Sequence, residues 1–183
     1  MSDVSLADRF NAGESFADFL TRPRQYRDLW NALYKRATVP EDLLIRARKI
    51  QKPWHLLILS EDWCGDSINI LPLVAKLTDV LASLDLRILG RDANPDLMDA
   101  HLTGKSRSIP VIILLDENYV ERGWWGPRPR PLQEWVIAHM DLPKADRYKE
   151  VRTWYARDHG VTSLTEILDL IEVALAKARV SMG

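Results

Sequence analysis

Cys64 is the only thiol in the sequence, and it lies in the segment Glu61-Asp62-Trp63-Cys64-Gly65-Asp66-Ser67, where an apolar run hands over to a long helical pattern. That placement sets the sulfur at a helix N-terminus, where unpaired backbone N–H groups and the helix dipole favour a thiolate. Such settings lower a thiol from about 8.5 to between about 3.5 and about 7.5. Ser67, one turn further on, can donate its hydroxyl to the sulfur. Asp66, Asp62 and Glu61 place negative charge near the thiol and push the other way, so the residues alone leave the sign of the sum open. The chemistry on offer is thiol–disulfide exchange by a nucleophilic Cys64. The competing reading is a redox-silent thiol kept on a binding surface. Trp63 either shapes that surface or packs on the first helix.

A second group with chemical potential is Trp124-Trp125-Gly126-Pro127-Arg128-Pro129-Arg130. Arg128 and Arg130, held on a proline-stiffened loop, are candidates for binding an anion such as a carboxylate. The competing and favoured reading is a solvated loop with arginine stacked on tryptophan. Arg91 and Arg107 are weaker candidates of the same kind. Asp92-Ala-Asn94-Pro-Asp96 begins like a calcium loop, but Leu97 stands where glycine is needed and Thr103 where glutamate is. His55, His101, His139 and His159 show no ligand spacing, so no metal site is expected.

The elements that must position these groups follow from periodicity. Apolar residues at three- and four-residue spacing, including Phe16, Phe19, Trp30 and Leu33, predict helices before residue 38, with Pro23 separating two stretches. A third covers 41–50. Trp54 to Ser60 is an apolar run without helical period and reads as a buried strand. A helix over 67–84 follows, with Ile70, Leu71, Val74, Leu77, Val80 and Leu81 on its apolar face. Further strands are expected over 85–91, 109–116 and 119–124, the last two as a hairpin turning at Glu117 and Asn118. Asn94-Pro95 opens a short helix, and others follow over 132–139, 146–158 and 163–180. The last reads as opening with a capping box, Ser163-Leu-Thr-Glu166. The expectation is an α/β fold: βαβ, then a β-hairpin and helix, on a mixed central sheet, with extra helices at both ends. It forms a single domain over 1–183, with a core of about 54–140 and helical extensions over 1–53 and 141–183.

Trp63-Cys64-Gly65 after the first strand, Pro72 eight residues beyond the cysteine, and Ser108-Ile109-Pro110 at the head of an apolar strand together resemble the thioredoxin superfamily. The wording WCGDS and the Trp125–Pro129 loop are similar to a bacterial thioredoxin-like family. The resemblance covers about 54–139. It implies a thioredoxin-like fold, a cis peptide at Pro110 packed on the active-site loop, and a substrate groove formed by Trp63, Gly65, Asp66, Ile109 and Pro110. Asp66 and Ser67 stand where that superfamily carries a proline and a second cysteine. A CxxS loop lacks the resolving thiol, so the implied reaction is monothiol: Cys64 attacks, assisted by Ser67, and glutathione or another low-molecular-weight thiol resolves. Monothiol glutaredoxins share the CxxS pattern, and some carry an iron–sulfur cluster with glutathione. That is a third and weaker reading.

Composition bounds the remaining choices. Of 183 residues, 46% are hydrophobic, too many for intrinsic disorder. Lys and Arg number 25 against 26 Asp and Glu, so nothing attracts nucleic acid or an anionic membrane in general. One cysteine excludes an intramolecular disulfide and a multi-thiolate zinc site. The acidic start of the chain and its short apolar runs point to a cytoplasmic protein. No resident cofactor is expected. The expected partners are protein or small-molecule thiols and disulfides. A homodimer is one way to cover the apolar faces of the extensions, and the seven tryptophans suit either that or packing on the sheet.

Overall fold

A computed structural model describes residues 4–21 and 25–180; Pro23 lies outside the described residues. In chain order the elements are α1 (Leu6–Ala12), α2 (Phe16–Thr21), α3 (Arg27–Arg36), α4 (Glu41–Ala47), β1 (Trp54–Ser60), α5 (Gly65–Asp79), β2 (Leu84–Gly90), α6 (Pro95–Asp99), β3 (Val111–Leu115), β4 (Glu121–Trp125), α7 (Arg130–Ala138), α8 (Lys144–Asp158) and α9 (Val161–Val180).

The strands form one sheet in the order β2-β1-β3-β4. β1 pairs parallel to β2 with Leu56 opposite Leu86 and Ile58 opposite Ile88. It pairs antiparallel to β3 with Ile58 opposite Ile112, and β3 and β4 close the antiparallel hairpin. Successive residues of β1 serve opposite faces. Leu56 and Ile58 join the cluster under α5, α3 and α9, whereas Leu57 and Leu59 join Phe10, Met98, Ile109 and Cys64 on the other side. Both faces are covered, which is why β1 and β3 read as unbroken apolar runs rather than alternations.

The extensions pack onto this sheet. Phe16, Phe19 and Trp30 from the N-terminal helices, and Leu164, Ile167, Leu168 and Ile171 from α9, are buried in the α5-side cluster. Glu14 bridges the outer edge of β2 through two backbone hydrogen bonds with Ile88, of 2.8 and 2.9 Å, so that edge is not left bare. Arg46 of α4 reaches Glu172 and Asp169 of α9, fastening one extension to the other. Among the described residues, no helix is long and apolar enough to cross a membrane.

Three expectations require correction. α5 stops at Asp79, short of the expected 84, so that Val80 is its exposed C-cap and Leu81 lies beyond it, rather than both lying on its apolar face. α5 itself starts at Gly65, two residues earlier than periodicity suggests, with Cys64 as its cap. The Ser163–Glu166 capping box is absent. α9 has already begun at Val161, with Asp158 accepting from the Thr162 N–H. Ser163 Oγ is buried and has no hydrogen-bond partner among the described residues, and Glu166 instead accepts from Trp125 and from the Arg130 backbone.

Candidate thiol site

β1 delivers the chain to α5 through Glu61–Cys64, and this loop is held from several directions. Trp30 of α3 donates its indole N–H to the Asp62 carbonyl at 2.9 Å. The Asp62 carboxylate accepts from the Gln25 N–H at 2.7 Å, and Glu61 accepts from the Asp92 N–H at 3.1 Å. Two of the three acids expected to crowd the thiol are therefore turned onto backbone donors of neighbouring segments.

Cys64 caps α5: its sulfur accepts the Ser67 N–H at 3.5 Å. Ser67 is fully buried and accepts the Ser60 hydroxyl at 2.8 Å, which leaves its own proton to offer the sulfur. Cys64 is only 7% exposed, and its S–H donates to the Ile109 carbonyl at 3.3 Å. Burial, the largest influence, pushes the thiol up from its ordinary value; the Ser67 contacts pull it down, and the charge of Asp66 pushes it up again. The balance favours the protonated thiol. Low exposure of the sulfur, which sequence does not report, is the largest weight in the sum that the helix terminus and the carboxylates left open.

Facing Cys64 is the Ile109–Pro110 peptide, which is cis, as is Gly126–Pro127. The two loops meet: a Cβ on Gly126 would stand 2.1 Å from the Pro110 carbonyl oxygen, and Gly126 has φ +136°. Only glycine fits that approach.

The close contact carries Arg128 to the site. Its Nε donates to Asp66 Oδ1 at 2.9 Å, its Nη2 to Asp66 Oδ2 at 2.6 Å and its Nη1 to Gln133 at 3.0 Å. Tyr155 of α8 donates its hydroxyl to Asp66 Oδ1 at 2.9 Å. Burial pushes the Asp66 carboxyl up, opposed by the charge of Arg128 and by both donors. Tyr155 is also raised, by burial and by the facing carboxylate.

Of the residues expected to form the site, Cys64, Gly65, Asp66, Ser67, Ile109 and Pro110 come together. Trp63 projects outward, 44% exposed, with the Arg91 guanidinium over its ring at 5.0 Å. The arginine–tryptophan stacking expected within the WGPRPR loop is not found there among the described residues; the Arg91–Trp63 contact joins two other segments. Arg128 points inward to Asp66, with all three guanidinium nitrogens engaged, rather than outward to a ligand. Arg130 is exposed on the first turn of α7, its Nε 3.9 Å from Glu134. Arg107 pairs with Asp99. Ser60 and Tyr155 escaped sequence reasoning. Ser60 carries a faint signal, a hydroxyl closing an apolar run, whereas Tyr155 carries none. Among the described residues, no group of three or more His, Cys, Asp or Glu side chains is arranged to hold a metal.

A mixed four-stranded sheet with a cysteine capping the helix after its first strand, opposite a cis-proline loop, defines a protein of thioredoxin-like fold. The thioredoxin family matches residues 13–162, and the chain belongs to it. A 1.5 Å crystal structure of a Pseudomonas aeruginosa protein of unknown function is similar at TM-score 0.76 and 22% identity, over 93% of this chain and 99% of that one. An HIV epitope scaffold is similar at TM-score 0.74 and 21% identity, over 92% and 98%. At these identities the likeness concerns the fold. No curated protein matches the sequence.

Proposed function

We propose that the protein carries out monothiol thiol–disulfide exchange, with Cys64 as nucleophile and an external low-molecular-weight thiol such as glutathione as the resolving partner. The observation that carries this reading is the Ser67 N–H aimed at the Cys64 sulfur at the start of α5, beside the cis-Pro110 loop. In the first step the Cys64 sulfur attacks a disulfide, forming a mixed disulfide and releasing one substrate thiol, while the Cys64 proton leaves to solvent or to that departing thiolate. In the second, the external thiol attacks the mixed disulfide, returning Cys64 to the thiol and leaving the substrate joined to the external thiol. No electrons enter or leave beyond those of the exchanged bonds. Ser67 stabilises the sulfur as it gains charge, through its N–H and its hydroxyl. Trp63, Gly65, Ile109 and Pro110 line the approach.

Glutathione-coupled reduction of a peptide mixed disulfide tests this. The wild-type protein turns over, and Cys64→Ser, folded by circular dichroism, falls to background; equal activity in the two would sink the reading. A redox-silent binding module is the second reading, favoured by one feature: the sulfur is buried and gives its proton to the Ile109 carbonyl. That reading requires partner capture to survive Cys64→Ser and native Cys64 to resist disulfides.

A further inference from the structure

No other carboxylate–guanidinium pair among the described residues is as buried as Asp66 and Arg128, whose side chains are 10% and 17% exposed. Such pairs rarely stabilise a fold more than apolar side chains of the same size would, because both charges lose their hydration. This pair brings together three segments: Asp66 on the first turn of α5, Arg128 at the head of α7 and Tyr155 on α8. Both oxygens of the carboxylate accept from these donors, two residues from the sulfur.

The other charged and polar groups around Cys64 are otherwise engaged. Glu61 and Asp62 on the same loop bind backbone N–H groups of the segments at Asp92 and Gln25. Arg91 lies over Trp63 and also contacts Asp92 and the Arg107 carbonyl. From the β3 side the Ile109 carbonyl takes the S–H, and from α5 Ser67 contributes its N–H. Asp66 is the one carboxylate whose charge acts on the thiol, and it opposes ionisation.

We propose that Arg128 is a positioning residue for the Cys64 thiol, acting through Asp66: its fork, with the Tyr155 hydroxyl, fixes and neutralises the carboxylate beside the sulfur. The role rests on Cys64 being the reacting group, yet it is read from the thiol's own titration, so it stands or falls separately from disulfide turnover. Arg128 is thus an internal counter-charge, and its loop is tied to the cis-proline through Gly126.

The test is the rate of iodoacetamide alkylation of Cys64 against pH in the wild type, Arg128→Met, Arg128→Lys, Asp66→Asn and the double variant Asp66→Asn/Arg128→Met. Arg128→Met slows alkylation near pH 8 by about tenfold, one unit of titration. Arg128→Lys, which keeps the charge without the fork, recovers part of the loss. Asp66→Asn speeds alkylation, and in that background Arg128→Met changes the rate by less than about twofold. Equal slowing by Arg128→Met with and without Asp66 overturns the proposal. So does an unchanged rate in Asp66→Asn, which carries the test alone if the unpaired carboxylate in Arg128→Met prevents folding.

Discussion

At Cys64 the start of a helix and the wall of a core compete for one sulfur. Ser67 supplies the helix-terminus contact, but a thiolate there would lose water and face the Ile109 carbonyl, and burial outweighs the donors. The direction is testable without substrate. The alkylation midpoint of native Cys64 is expected above the ordinary thiol value of about 8.5, and the protein unfolded in urea should label with an ordinary midpoint. A native midpoint near 7 would show that the helix terminus prevails. Much of this site was legible from local sequence, since Cys64, Ser67, Ile109 and Pro110 lie in short segments whose order and flanking strands identify them. The fork on Asp66 was not: Arg128 is 62 residues from it and Tyr155 is 89. An arginine on a proline-rich loop looks the same in sequence whether it faces a ligand or an internal carboxylate.

Strand β1 and helix α5 were legible because both-face burial makes a continuous apolar run and the helix keeps its period. Their ends were less so, because a cap is decided by which hydrogen bond wins. At α9, Asp158 takes the Thr162 N–H and frees Glu166 to tie Trp125 and the Arg130 backbone to the helix. One tie between elements was invisible to periodicity. His101 follows α6, its Nδ1 on the Leu97 carbonyl at 2.7 Å and its Nε2 on Glu121 of β4 at 3.1 Å. Both partners are acceptors, and the protonated ring can donate to each of them. Burial pulls it down, but Glu121 and the Leu97 carbonyl raise it overall. A raised histidine contributes stability that is complete below its unfolded value of about 6.5 and is lost as pH rises through its folded value. His101→Gln should cost about 1.5–3 kcal/mol at about pH 6, the usual worth of hydrogen bonds to a charged group. That difference should shrink as pH rises through the folded value. Urea denaturation across that range measures it, and a cost independent of pH would show a neutral ring.

Across the whole molecule, the helices outside the βαβ-hairpin core behave as walls of one interior. Trp30, Trp54 and Trp125, three of the residues whose abundance suited either a sheet cover or a dimer face, are buried within the chain. α3 steers the loop before Cys64 through Trp30, and α8 reaches Asp66 through Tyr155. A fragment of residues 54–140 is therefore expected to remain unfolded by circular dichroism and amide exchange, because the Leu56–Ile58 face loses Phe16, Phe19, Leu164 and Ile167 together. A cooperatively folded fragment would show the extensions to be accessories. Disulfide exchange by this buried thiol in the native protein is read by intact-mass analysis after exposure to glutathione disulfide. One glutathione adduct is expected on Cys64 of the folded protein, discharged by reduced glutathione. An adduct that forms only after denaturation would contradict it and favour the redox-silent reading.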